Sequence, residues 1–281
     1  MKVPESWICP TCSNMVSTLY CPACGESPPN KHDLTFRGLY AQLFHAFTDI
    51  DGRLLRSFRC LLTHPGVLSM AYVQGRRRPY LGPFQLFLIA NVLFFATQSL
   101  TNTNIVSSTL DSHLHTQDWR FVAQRLVAHR LEAKQMTLDL YAPIFNRALV
   151  LHAKSFIILM VPPFAVLLLI MFYQSHQPFV AHVVFSLYFF TFLQLLFCVL
   201  LIVAAVDVLF GGAGLISARM DNILSLINLA ACAIYLYIAT GTVYGSRGLI
   251  RVVKVLVLAA AIFGILLGYR FALFLGTLYT T

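Results

Sequence analysis

Residues 183–210 read VVFSLYFFTFLQLLFCVLLIVAAVDVLF, a run whose only charge is Asp207. It exceeds the roughly 20 residues that cross a bilayer, so the segment is expected to tilt or to extend past it. It is apolar all round, unlike the one-sided pattern of a soluble surface helix. Four further stretches are long enough to span: Pro83–Leu100, Ser155–Tyr173, Asn222–Thr240 and Val255–Gly276. The fold class read from this pattern is mainly α and integral to the membrane, a five-helix transmembrane bundle over 83–281.

Composition agrees. Of 281 residues, 58% are hydrophobic and only 11% charged, with 23 Phe. The mean hydropathy of +0.73 is far from that of a soluble domain. The net charge of +9 is not gathered into one face or arm, so no nucleic acid is expected as a partner. Much of the excess flanks apolar segments, as insertion rules and anionic lipids favour. Met1–Ile8 carries no apolar signal core, so the first span is expected to direct insertion itself.

Lys and Arg near the span ends set an expected orientation. One side holds Arg76, Arg77, Arg78, Arg247, Arg251 and Lys254; the other holds Arg147, Lys154 and Arg219. The richer side is expected to be cytoplasmic, with the N-terminus inside and the C-terminus outside.

The N-terminal residues 1–30 contain CPTCSNMVSTLYCPAC, from Cys9 to Cys24. Cys9-x2-Cys12 and Cys21-x2-Cys24 each put two sulfurs on one tight turn, and the intervening residues suffice for a hairpin. Four thiolates then close a tetrahedral shell with no vacant position, so the expected occupant is structural zinc in a small zinc ribbon. Iron, or a pair of disulfides, are the alternatives. A reduced site belongs in a reducing compartment, in line with a cytoplasmic head. Cys60, Cys198 and Cys232 stand singly among apolar neighbours and read as inert.

Residues 31–82 read as juxtamembrane amphipathic helices. Phe36, Leu39, Tyr40, Leu43, Phe44 and Phe47 follow one helical stripe; Leu54, Leu55, Phe58, Leu61 and Leu62 follow another, opposite Arg53, Arg56 and Arg59. They are expected to lie on the membrane, packing against the bundle being the alternative. The 101–154 connection is expected to be an extracytoplasmic loop with one short polar helix in DWRFVAQRLVAHRLEAKQM, residues 118–136.

The Cys pairs, followed by TDIDGRLLRSFRCLLTHPGVLSMAYVQGRRRPYLGPFQLFLIANVLFF at 48–95, resemble an uncharacterised family of bacterial membrane proteins. Its members carry an N-terminal zinc ribbon followed by several transmembrane helices. HAKSFIILMVPPFAVLLLIMF and AHVVFSLYFFTF are similar to that family's second and third spans, with Lys154, Pro162, Pro163 and His182 at recurrent positions. Ser13 stands where Gly is commoner after the second Cys. The resemblance implies an architecture and no activity.

Ionisable groups at membrane depth are informative because they are costly. Asp207 and Arg270 both fall in the expected outer half, where an ion pair between them is allowed; Asp221 and Lys154 open spans on that side. Together these residues either pin helices or form a polar site for an anionic or protonatable ligand. His182, at the start of span three, either packs or titrates near neutral pH. Asn91, Gln194 and Asn228 read as interhelical hydrogen-bonding groups, and Pro162-Pro163 should bend span two. Ala260, Gly264, Gly268, Ala272 and Gly276 form a small-residue ridge on span five for a helix of the same chain or of a second copy in a homodimer.

No GxxxxGK[ST], HExxH or GxSxG occurs, and no carboxylate pair supports acid/base work. The preferred reading is a non-enzymatic accessory, regulatory or scaffold protein, its ribbon docking a cytoplasmic protein and its bundle meeting lipid. A small transporter or lipid-handling protein is the alternative, and a membrane enzyme with an unrecognised site the second.

Overall fold

Abundant Phe and long charge-poor runs leave the chain few ways to satisfy its backbone except by helices packed side by side. The computed structural model describes residues 6–18, 20–26, 28, 52–101, 103, 105 and 108–281. The expected helix over Phe36–Phe47 lies outside them.

At the N-terminus β1 (Trp7–Ile8) and β2 (Met15–Val16) pair antiparallel, Trp7 opposite Val16 and Ile8 opposite Met15. The helices are α1 (Arg53–Thr63), α2 (Val67–Val73), α3 (Pro83–Thr101), α4 (Leu110–His115) and α5 (Arg120–Lys134). They continue with α6 (Leu138–Phe156), α7 (Val161–Met171), α8 (Phe179–Leu209), α9 (Ala218–Tyr244) and α10 (Gly248–Thr280). Among the described residues five helical stretches are long and apolar enough to cross a membrane: α3, α6 through α7, α8, α9 and α10.

The second of these differs from the expectation. It begins at Leu138 and runs 34 residues to Met171, so the 101–154 connection is largely helical. Tyr141, Phe145, Leu149 and Ala153, four residues apart, bury one stripe against the bundle, while Arg147 and Lys154 stay exposed on the other side. Lys154 therefore lies well inside the helix instead of opening it. Pro162 and Pro163 lack the N–H groups that would continue the ladder. The chain accordingly tightens into a 3-10 turn at Ile157–Met160 before α7. The expected short polar helix is α5.

Phe87, Phe94, Phe145, Phe164, Phe185, Phe189 and Phe274 are fully buried. The rings interlock across helices, as where Phe164 stacks on Phe189 with centroids 5.0 Å apart. α3 and α8 share the most extensive contact. Gln194 on α8 is also buried, yet neither amide atom has a partner. It faces a cavity of about 20 Å³ bounded by Ile157, Met160 and Leu266, enough for one water.

The ends of the bundle are tied differently. At the Pro83 end, Tyr188 Oη donates to the Leu81 carbonyl (3.2 Å) and Lys254 Nζ to that of Met171 (2.6 Å). At the opposite end, Tyr141 and Thr281 share a hydroxyl hydrogen bond of 2.7 Å and Arg130 donates to the Tyr279 carbonyl (3.3 Å). α1 and α2, separated by His64-Pro65-Gly66, pack against the bundle at the Pro83 end, with Leu61, Leu68 and Tyr72 buried in its core. Gly66 has φ +89°, and a Cβ there would sit 2.9 Å from the Ala239 carbonyl oxygen. Only glycine lets α2 pack this closely on α9.

Candidate metal centre

Two turns of the same form build the head. Ser13 N donates to Cys9 O (2.8 Å) and Gly25 N to Cys21 O (2.7 Å), each closing a Cys-x2-Cys loop. Ser13 and Gly25 both take positive φ, 60° and 70°. Ser13 thus stands in the left-handed position its counterpart fills with glycine. The β1–β2 pairing then brings the loops face to face. Cys9 and Cys24 sulfurs lie 3.5 Å apart, Cys12 and Cys21 3.4 Å, and Cys12 and Cys24 3.7 Å. All four fall within 4.8 Å of one another, and none is in a disulfide. A regular tetrahedron with metal–sulfur bonds of about 2.3 Å has edges of about 3.8 Å, so the four cysteines can hold one metal ion.

The thiols differ electrostatically. Burial, the largest influence on Cys21, is outweighed by N–H groups of Cys24 and Ala23 and by the Cys12 thiol, leaving it lowered to about 7. At Cys24 the Glu26 N–H favours the thiolate, but burial and three neighbouring thiols push it up to about 12. Cys24, crowded by the other three sulfurs, thus holds a proton that a cation would displace.

Glu26, which the sequence reading did not single out, ties this head to the bundle. The residue is 2% exposed. One oxygen, Oε2, accepts from Thr11 Oγ1 (2.8 Å) in the first Cys loop and from Arg77 N and Arg78 N (3.0 Å each). The Arg78 guanidinium lies over Gly25, 3.4 Å from where a Cβ would stand. The partners are 51 and 52 residues away, so no local motif announces the contact.

The other candidate residues are not gathered into one site. Asp207 Oδ2 accepts from Gly214 N (3.0 Å), closing the loop after α8. Arg270 Nη2 donates to the Ile105 carbonyl (2.7 Å). The two have separate partners, and no ion pair joins them. Asp221 is exposed in the first turn of α9, where the helix dipole favours a carboxylate. The Lys154 carbonyl accepts from Asn91 Nδ2 (3.1 Å) while its side chain is exposed. His182 is buried between helices, Nδ1 2.9 Å from Tyr244 Oη, and Tyr244 stacks on Phe172.

A second histidine, passed over in the sequence, is more enclosed. His113 receives a 3.1 Å hydrogen bond from Trp119 Nε1 on Nδ1 and packs on Phe274, centroids 4.8 Å apart. Burial, aided by the charge of Arg270, lowers its pKa to about 4. On α10 the small-residue ridge divides. Gly276 lies against Phe156, whose Cε2 is 2.8 Å from a would-be Cβ, whereas Gly264 and Gly268 meet nothing within 4 Å. Those two line an open groove with Leu159 and Pro163.

Among the described residues, five helical stretches long and apolar enough to cross a membrane, preceded by a four-cysteine cluster that could hold a metal, give the chain the character of a multi-pass, membrane-type helical protein. Residues 51–95, from the approach to α1 into α3, match a protein family described as Protein of unknown function (DUF3667). No curated protein and no solved structure matches the chain.

Proposed function

We propose that this chain is a multi-pass protein of a bacterial inner membrane with a structural zinc ribbon as its cytoplasmic head. It serves as a non-enzymatic accessory or scaffold protein. The observation that carries this reading is the closed four-sulfur shell joined through buried Glu26 to the backbone of the Arg76–Arg78 segment. A shell completed by four thiolates leaves zinc no open position for water or substrate, which favours holding over catalysis. A head gripped at the start of the first span is suited to present a docking surface at a fixed place on the membrane.

The N-terminus-in orientation draws support from the four-cysteine cluster, which can hold metal only where thiols stay reduced, and from the basic residues beside the Pro83 end. Membrane lipids and a cytoplasmic protein are the proposed partners, with a homodimer through the Gly264–Gly268 face of α10 as a further contact. Separate anchoring of Asp207 and Arg270 favours this reading over transport through a shared polar site.

The test is purification of the intact protein in mild detergent, with elemental analysis and mass spectrometry of co-purifying proteins. One zinc per chain is expected, with a protein partner that disappears in a Cys9→Ser/Cys12→Ser variant. A partner set identical in wild type and variant would refute the docking role. Two disulfides in place of metal would refute the zinc ribbon.

A further inference from the structure

α1 presents one further feature that the metal centre does not use. Arg56, Arg59 and Thr63 stand at i, i+3 and i+7, on one stripe of the helix. With His64, Val67 and Tyr80 they line a cleft of about 360 Å³, within the size range of small-ligand sites. Both guanidinium groups are exposed and neither is paired with a carboxylate among the described residues. Arg56 Nη1 donates to the Pro79 carbonyl at a long 3.5 Å. Tyr80 also lines the cleft. Burial and the neighbouring Cys60 raise its pKa, while the charges of Arg56 and Arg76 act against them, so two cations flank the phenol. Thr63 Oγ1 and His64 Nδ1, 2.7 Å apart, add polar groups at the rim. Among the described residues the cleft therefore gathers positive charge and hydrogen-bond donors with no acid to neutralise them, the chemistry that selects phosphate.

Its position narrows the source of that phosphate. α1 is fastened where α3 begins: Ser57 Oγ accepts from Leu81 N (2.8 Å), two residues before Pro83. If α3 enters the hydrocarbon at Pro83, the cleft lies in the headgroup layer. Beside it, Leu55 and Leu62 are 77% and 52% exposed, at i−4 and i+3 from Arg59. Two unsupported leucines interleaved with arginines are unfavourable in water but suited to a lipid surface, leucine toward the acyl chains and guanidinium toward phosphate.

We propose that this cleft binds the headgroup phosphate of an anionic phospholipid, with Arg56 and Arg59 as the clamp, Tyr80 and His64 at the rim, and Leu55 and Leu62 among the acyl chains. The inference rests on the membrane-spanning reading of α3. It gives the segment 51–95 a ligand class independent of the metal centre.

The test is native mass spectrometry of the full chain released from nanodiscs, titrated with phosphatidylglycerol, with phosphatidylcholine and inorganic phosphate as comparison ligands. Wild type should retain phosphatidylglycerol over phosphatidylcholine. Arg56→Gln/Arg59→Gln should weaken retention about thirty-fold, each surface arginine contributing about 1 kcal/mol. Arg56→Lys/Arg59→Lys should recover part of it, and Arg219→Gln at the opposite end should change nothing. Equal retention by wild type and the double Gln variant, both incorporated into nanodiscs, would overturn the proposal and leave the membrane reading intact. Displacement by inorganic phosphate at equal concentration would overturn the lipid as the ligand. A chain that stays out of nanodiscs would overturn the membrane reading itself.

Discussion

Replacing Glu26 by Ala removes the acceptor for three donors at once, Thr11 Oγ1, Arg77 N and Arg78 N, at distances of 2.8, 3.0 and 3.0 Å. The carboxylate is buried, so bulk water is a poor substitute on its side. Arg78 is exposed and Arg77 half-buried, so water partly satisfies their N–H groups once the clamp is gone. Allowing about 1 kcal/mol for each lost bond, below the roughly 1.5–3 of bonds to charged acceptors because water takes over part of each, the segment becomes easier to open by about 3 kcal/mol. Hydrogen exchange reads that opening directly: the amides of Arg77 and Arg78 should exchange roughly 100-fold faster than in wild type. Glu26→Gln keeps the shape but not the charge. Neutral hydrogen bonds are about half as strong, so it should fall between, near ten-fold. Metal content should be unchanged in both, because Glu26 is outside the sulfur shell. Exchange no faster in Glu26→Ala than in wild type, at equal metal content, would refute the clamp.

Four other expectations concern separate parts of the molecule. Single Cys→Ser changes at Cys9, Cys12, Cys21 or Cys24 should each abolish stoichiometric metal binding by elemental analysis, whereas Cys232→Ser should not. Ser13→Gly should stabilise the head by about 1 kcal/mol, relieving the positive φ, and shift chelator-induced unfolding to higher chelator concentration. Gly276→Leu should destabilise by about 1–3 kcal/mol through collision with Phe156, while Gly268→Leu should leave the thermal midpoint of the monomer nearly unchanged. If cross-linking detects a dimer, Gly268→Leu should remove it. His113 holds a folded pKa near 4, below the usual His value of about 6.5. Its neutral form is favoured in the folded state, so stability is full above pH 6.5 and falls as the pH drops toward 4. The loss is about 3 kcal/mol at most. Melting curves at pH 7 and pH 4.5 should converge for His113→Phe relative to wild type.

The sequence was most readable where one physical requirement dominated. The run from Val183 to Phe210 contains one charge, and α8 spans Phe179–Leu209. The four head cysteines were legible because short loops fix their geometry without tertiary help. The start of span two was not, because its buried stripe of Tyr141, Phe145, Leu149 and Ala153 is interleaved with Asn146, Arg147, His152 and Lys154. Averaging along the chain cannot separate a helix's two faces. Asp207 and Arg270 illustrate the same loss of dimension. Depth in a membrane can be counted along a sequence, but the angle around a helix depends on packing. Glu26 and His113 were hidden for another reason: their partners come from distant segments, and neither sits in a recognisable pattern.

Glu26 also makes the head and the first span thermodynamically reciprocal. Its backbone carbonyl accepts from Cys21 N (2.7 Å), closing the second Cys loop, while its side chain grips Arg77 and Arg78. A single residue therefore belongs to both the sulfur shell's scaffold and the peptide that leads into α3. If filling the shell with metal favours the gripped arrangement, anything that stabilises that arrangement must raise the affinity for metal by the same factor. Pulling the arginines away must lower it equally. Metal affinity would then be a gauge of what happens at the membrane face, readable with nothing more than a chelator titration.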